Sequence, residues 1–266
     1  MNAGSLESMP IPLPKIPEQK AIASVLSLMD SAIHKTIQLI TQKELQKKAL
    51  MQQLLTGKKR LKGFGAVWDE IRLGDVFDRV TRKNSEINTN VVTISAQGGF
   101  VRQSDYFNKI VASEILDNYF LVFKGEFCYN KSYSNGYPWG ATKRLNDFEK
   151  AVVTTLYICF RLRDGQKNAG DFFETYFESG ALEKGLTQIA HEGGRAHGLL
   201  NVTPTDFFNI KISVPPHSEQ IEIARILNAA GKEIQLLKSK AEKLKELKKG
   251  MMQVLLTGKK RLRIGS

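Results

Sequence analysis

An octapeptide occurs twice in the 266 residues of this chain. Leu54-Leu55-Thr56-Gly57-Lys58-Lys59-Arg60-Leu61 returns as Leu255-Leu256-Thr257-Gly258-Lys259-Lys260-Arg261-Leu262, 201 residues later. The same offset carries Glu18-Gln19 onto Glu219-Gln220, Ile22-Ala23 onto Ile223-Ala224, Leu26 onto Leu227, Ile33 onto Ile234 and Met51-Gln52 onto Met252-Gln253. Each copy opens at prolines, Pro12 and Pro14 in one and Pro215 and Pro216 in the other. A fixed offset of this kind means one structural unit used twice. The unit brackets a stretch of different character, where a specific task is expected to sit.

Both copies read as long helices. After Pro17 the first runs to Thr56 without proline or glycine, and Ile22, Leu26, Met29, Ile33, Ile37 and Ile40 advance by threes and fours. In the second, Ile234, Leu237, Ala241, Leu244, Lys248, Met251 and Leu255 form a heptad seam with one charged interruption. Gly57 and Gly258 follow the last apolar pairs and suit the left-handed residue that ends a helix. Each helix is expected to span about 38 residues, or ~57 Å. A helix this long needs a partner for its apolar stripe. The economical solution is an antiparallel pair within the chain, and a symmetric bundle with a second chain is the other. Two ordinary helices on a globular core would not need so narrow a stripe.

The middle, residues 64–213, reads as mixed α/β. Trp68 to Phe77 is a strand and turn leading to a short helix. Asn90–Ser95 is a β-branched strand, Tyr119–Phe123 and Glu126–Asn130 are strands about a Lys124-Gly125 turn, and Ala151–Phe160 is one long apolar strand. Phe172 to Leu186 has helical spacing, Pro204 marks a turn, and Thr205 to Ile212 returns the chain to the second proline entry. The expected fold class is therefore α+β, with an N-terminal lead-in (1–17), a helical spacer (18–63), a central domain (64–213) and a second spacer (214–266).

Charge is distributed unevenly. The formal net charge is +12, yet residues 67–210 hold sixteen Lys/Arg against eighteen Asp/Glu, so the whole excess lies on the repeats. If the middle binds a polyanion, its basic residues must be gathered on one face. No apolar run reaches the ~20 residues of a membrane span. Residues Met1 to Met9 lack the pattern of a signal peptide. Cys128 and Cys159 form neither a CxxC pair nor a disulfide framework, and read as buried thiols of a reducing cytoplasm.

Together these residues resemble the specificity subunit of a Type I restriction–modification system. The resemblance lies in the spacers, with their proline entry, Glu-Gln, long helix and Leu-Leu-Thr-Gly-Lys-Lys-Arg-Leu. It extends to Trp68, Leu73-Gly74-Asp75, Lys124-Gly125-Glu126-Phe127, Tyr129-Asn130-Lys131 and the exit Asn209-Ile210-Lys211-Ile212-Ser213-Val214-Pro215. It implies a target-recognition domain flanked by two conserved helices in an antiparallel coiled coil. It also implies a non-catalytic subunit that reads a half-site of double-stranded DNA and docks methyltransferase subunits and, through them, restriction subunits. S-adenosylmethionine and ATP would belong to those partners, and no cofactor or metal to this chain. The usual member carries two recognition domains, whereas this chain begins at a spacer, like a half-length form. Two such chains, joined as a homodimer through the helices, would read a symmetric target.

Reading base edges takes polar, forked side chains on exposed loops, with basic groups on the phosphates. Three loops have that composition. Residues 130–144 supply Lys131, Ser132, Tyr133, Asn135, Lys143 and Arg144; residues 191–198 supply Arg195 and His197; residues 95–103 supply Ser95, Gln97 and Arg102. Tyr137 and Trp139 can equally be packing residues. His191 and His197 match no zinc spacing. The expected helix interface is Ile22, Leu26, Ile33, Ile37, Ile40, Ile234, Leu237, Leu244, Met251 and Leu255. Catalysis is not expected: the only Pro-Pro, after Val214, is not the Asp/Asn-Pro-Pro-aromatic motif of an adenine methyltransferase, and the Gly-Lys pairs lack the rest of a phosphate loop. The competing reading is a coiled-coil interaction protein whose near-neutral middle binds protein or RNA.

Overall fold

The computed structural model describes residues 13–106, 116–134, 136–163, 169–190 and 200–262. The chain divides into two compact units. One is formed by the residues up to Lys48 with those from Asn228 onwards; the other is Ala49–Leu227.

Two helices of 39 residues run through the repeats, α1 (Ile16–Leu54) and, at the other end of the chain, His217–Leu255. In the first unit they pair antiparallel. Lys43 bonds Glu233 and Lys248 bonds Asp30, so residue numbers fall on the first helix as they rise on the second, and Lys238 adds a bond to Glu44. Of the expected seam, Ile22, Ile234 and Leu255 are buried, and Leu26, Ile33, Ile40, Leu237, Leu244 and Met251 are half-buried. Ile37 is not in it. It is 43 % exposed, while Thr36 is 8 % exposed. The seam alternates steps of three and four through Ile33, Thr36 and Ile40, and Ile37 sits one residue further round the helix. The Thr36 hydroxyl donates to the Ala32 carbonyl at 2.8 Å, which lets a polar residue be buried without an orphaned donor.

The repeat is a repeat in structure as well. Both helices end on a glycine of positive φ, 69° at Gly57 and 71° at Gly258. The next turn closes alike in each, Lys59 N–H to the Gln53 carbonyl and Lys260 N–H to the Val254 carbonyl. At the entries, Gln19 Nε2 donates to the Pro14 carbonyl and Gln220 Nε2 to the Pro215 carbonyl.

The second unit opens with β1 (Asp69–Arg72), one turn of helix α2 (Leu73–Val76) and β2 (Phe77–Val80). Then come β3 (Val92–Ser95), β4 (Gly99–Arg102), the turn α3 (Gln103–Tyr106), β5 (Phe120–Phe123), β6 (Phe127–Asn130), β7 (Ala141–Arg144), β8 (Lys150–Val153) and β9 (Ile158–Leu162). It closes with α4 (Gly170–Glu178), α5 (Glu183–Ile189), α6 (Pro204–Asn209), β10 (Lys211–Val214) and the start of the last helix, α7. An antiparallel four-stranded sheet has the order β2-β9-β6-β7, and the pairs β1-β10, β3-β4 and β5-β8 complete the strands. Pairing β1 with β10 joins the entry of the unit to its exit.

Three local expectations are revised. The apolar run 151–160 is two strands, broken where Tyr157 N–H turns back to the Thr154 carbonyl. β8 pairs with β5, while β9 lies between β2 and β6, so one continuous apolar sequence serves two sheets. The helical stretch after Phe172 is two helices, parted at Gly180 with φ 81°. Pro204 starts α6, with the Thr203 hydroxyl accepting from Asp206 N–H as its cap.

The core falls into two clusters. The larger packs Phe77, Phe127, Phe160, Phe173, Phe177 and Phe207 with Leu54, Leu55, Ile223 and Leu227 from the helix ends. Phe77 meets Phe127, Phe160 and Phe173 edge-on at 4.9–5.7 Å, the geometry ring quadrupoles favour. The smaller cluster sits under the hairpin β3–β4 and contains both cysteines, whose Sγ atoms lie 3.2 Å apart.

Candidate functional site

Two of the three loops singled out by sequence can be followed. The first joins β3 to β4. Ser95 pairs with Gly99, and the Ser95 hydroxyl accepts Gly98 N–H at 3.1 Å, so Ala96-Gln97-Gly98 forms a three-residue turn. Gly99 supplies the positive φ, 74°, that such a turn requires. Gln97 is exposed at the tip and Ser95 is half-buried, engaged in the turn. Arg102 ends β4, exposed, its guanidinium 5.9 Å from the Phe148 ring centroid.

The second loop joins β6 to β7. Its base is tight: a Cβ on Gly140 would fall 2.3 Å from the Asn130 carbonyl oxygen, so no larger residue fits. Asn130 Oδ1 accepts Ser132 N–H, a side-chain-mimicked turn that starts the loop. Lys131 and Ser132 are half-buried, and Tyr133 is 66 % exposed. Trp139 packs on the larger core and accepts Tyr129 O–H on its carbonyl, a structural role. Since β4 packs beside β7, the hairpin neighbours the strand that leaves this loop.

Lys143 and Arg144 follow on β7, but both are already engaged by α4. Lys143 is ion-paired with Glu178 and only 10 % exposed at its side chain; Tyr137 O–H donates to the same carboxylate at 2.6 Å. Burial first, then that carboxylate, pushes the Tyr137 phenol well above its ordinary range. Arg144 Nη1 donates to Asp171 Oδ1 at 2.5 Å and its Nε to the Gly125 carbonyl. The absence of a side chain at Gly170 makes room for this guanidinium, since a Cβ there would fall 2.8 Å from Nη2. Burial raises the neighbouring Glu174 carboxyl and the Arg144 charge partly offsets that. These two of the basic residues the sequence offered are thus ion-paired within the unit. Arg102 and Lys131 make no ion pair with a described carboxylate.

Asn135, Arg195 and His197, with the rest of the loop 191–198, lie outside the described residues. Among the described residues no cluster of His, Cys, Asp and Glu could hold a metal ion. No helix is long and apolar enough to cross a membrane.

A second constellation, which the sequence reading did not single out, lies where the unit opens. Glu219 is 1 % exposed and its carboxylate takes Arg60 Nε at 2.8 Å, Arg60 Nη2 at 2.6 Å and the Trp68 indole N–H at 3.2 Å. The indole also lies against Gly57, where a Cβ would touch the ring at 3.5 Å. Gln220 Oε1 accepts Ala169 N–H at 2.9 Å. The signal was present in the repeat, because Glu219, Gln220, Gly57 and Arg60 all belong to it.

One unit is an antiparallel helix pair and the other an α/β unit, and the duplicated spacer sequence runs through both. Residues 66–246 match the family described as Type I restriction modification DNA specificity domain, and the chain belongs to that family. Over 297 aligned residues it is 30 % identical to a provisionally named type I restriction enzyme MjaX specificity subunit of Methanocaldococcus jannaschii. That match covers 99 % of this chain and 62 % of the relative. Among solved structures it resembles the HsdS subunit from Thermoanaerobacter tengcongensis, with a TM-score of 0.54 at 20 % identity, covering 93 % of this chain and 60 % of that one. It also resembles the Type-I restriction-modification system S subunit from M. genitalium, with a TM-score of 0.54 at 16 % identity, covering 100 % of this chain and 66 % of that one. These likenesses establish the fold. The chain thus spans somewhat under two thirds of the length of each relative.

Proposed function

We propose that this chain is a DNA sequence-specificity component of a Type I restriction–modification complex, without catalysis of its own. The family match over residues 66–246 carries this reading. The loops support it, since Gln97, Arg102, Lys131, Ser132 and Tyr133 bring amide, hydroxyl, aromatic and basic groups to neighbouring loops. Arg102 and Lys131 keep their charge uncompensated by described carboxylates. The central unit reads a half-site of duplex DNA, and the helices dock methyltransferase subunits, which bring S-adenosylmethionine and join the restriction subunits with their ATP. The work is cytoplasmic, where the DNA lies. A homodimer through the helices would present two readers to a symmetric target.

Titrating duplex DNA into the purified chain at several salt concentrations tests the reading. Affinity is expected to fall steeply with salt, with a slope of about 0.9 log unit per phosphate contact. Lys131→Ala and Arg102→Ala are each expected to weaken binding and reduce that slope by about one contact. Lys143→Ala, whose charge is committed to Glu178, is expected to move it less. Methyl transfer should appear only when a methyltransferase subunit is added; a methylated site made by this chain alone overturns the proposal. Salt-independent association, or preference for RNA, would favour the interaction-protein reading.

A further inference from the structure

The loop between β6 and β7 is held at its base and again near its tip. At the base, Tyr129 O–H donates to the Trp139 carbonyl at 2.8 Å, and Gly140 leaves no room for a side chain against Asn130 and Tyr129. Further out, Ser134 and Tyr137 face each other as a bridge. Tyr137 N–H donates to the Ser134 carbonyl at 2.8 Å and Ser134 N–H to the Tyr137 carbonyl at 3.3 Å. Gly136, between them, has the positive φ, 81°, that a turn this short favours.

One side chain from outside the loop ties this bridge down. Glu178, the last residue of α4, accepts Tyr137 O–H at 2.6 Å on one carboxylate oxygen and the Lys143 ammonium on the other. Tyr137 belongs to the loop and Lys143 to the strand that leaves it, so one carboxylate joins the two. The ammonium also lies 5.1 Å from the Tyr137 ring centroid. Asp171, Glu174 and Glu178 follow one another on α4 at steps of three and four, which puts them on one face. The first two hold Arg144, and Glu174 also takes Asn146 Nδ2 at 2.7 Å. Among the described contacts of the three, those of Glu178 are the ones that reach into the loop.

We propose that Glu178 is a positioning residue for base reading. Through Tyr137 it fixes the loop that carries Lys131, Ser132 and Tyr133, and through Lys143 it withholds an ammonium from indiscriminate contact with phosphates. This role rests on the DNA reading proposed above. Polar groups that are placed in advance lose less freedom when they bind, which favours the duplex they fit. A cation already held by a carboxylate adds less to the attraction that every duplex exerts. The two effects have opposite signs on affinity: the first strengthens binding to the fitting half-site, and the second weakens binding to all other duplexes. A carboxylate that merely supported the fold would move both in the same direction.

The test uses the full chain. Preferred duplexes are selected from a randomised pool, and affinity for an enriched duplex and for a scrambled one is then measured across salt concentrations. Glu178→Ala is expected to lower the enriched-to-scrambled affinity ratio about tenfold, the scale of one lost hydrogen bond to a charged group. It should bind the scrambled duplex more tightly, with a salt slope steeper by about one contact. Glu178→Gln, which keeps an acceptor and loses the charge, should steepen the slope as much and lower the ratio less. Tyr137→Phe, which keeps the ion pair, should lower the ratio and leave the slope alone. An unchanged ratio in Glu178→Ala, or an equal loss of affinity for both duplexes, overturns this role while leaving intact the DNA reading of a wild-type chain that enriches a sequence. A wild-type chain that enriches none overturns the DNA reading, and this role with it.

Discussion

Two copies of Leu-Leu-Thr-Gly-Lys-Lys-Arg-Leu fold the same way and meet different surroundings. Leu55 is built into the larger core and Leu256 faces solvent; Arg60 is half-covered and Arg261 stands open. Local conformation is therefore a property of the peptide, down to the left-handed glycine and the hydrogen bonds that close the helix. Burial belongs to what each copy is placed against. The repeat behaves as a portable helix ending that acquires its energetic role from its neighbour.

That contrast can be broken by matched substitutions. The largest difference is expected at the second leucine. Leu55→Ala should cost about 2–5 kcal/mol, and Leu256→Ala under about 0.5 kcal/mol, read as shifts in urea midpoint. Equal costs would mean that Leu256 is covered in solution. A smaller difference is expected at the carboxylates. Glu219→Gln leaves a half-covered guanidinium and an indole N–H with a weaker acceptor, at roughly 1–3 kcal/mol. Glu18→Gln, which has Arg261 and one backbone N–H to lose, should cost less. The smallest effect is the pH response of Glu18. Hydrogen bonding to Arg261 leads the causes that hold its carboxyl below the ordinary 4.5. A carboxyl depressed in the folded state contributes stability that is complete above its unfolded value and is lost as pH falls through the folded one. Carboxyl carbon shifts followed from pH 7 down to 2 should give Glu18 a midpoint below 4.5, returning towards that value in Arg261→Ala. No change on removing the arginine would detach the depression from the pair.

Much of this was legible in the sequence, and what was not has a common cause. The repeats, the helices and their glycine ends followed from composition and spacing, which act within a few residues. The seam went astray at residue 37 because isoleucine is the more apolar neighbour of threonine. Burial follows the heptad geometry, and the threonine satisfies its hydroxyl on its own helix. The split of residues 151–160 was hidden because both halves are equally apolar and only their different partners separate them. At the candidate interface, Lys143 and Arg144 had the right chemistry for phosphates. Their carboxylate partners, Glu178 and Asp171, lie 35 and 27 residues further on. No local pattern announces an ion pair across that distance.

The charged interruption of the helical seam has a consequence for length. Lys248 is half-buried and bound to Asp30, Lys43 reaches Glu233 and Glu44 reaches Lys238, so polar teeth mesh at set points along the pair. Sliding one rod against the other by a full repeat would strand those ammonium groups opposite apolar residues. A polar tooth of this kind selects one stagger out of many. Growth of the rod is then quantised. Seven residues added to both helices would lengthen it by about 10 Å and keep every tooth engaged, whereas three or four added to one alone would turn its apolar edge away from the mate.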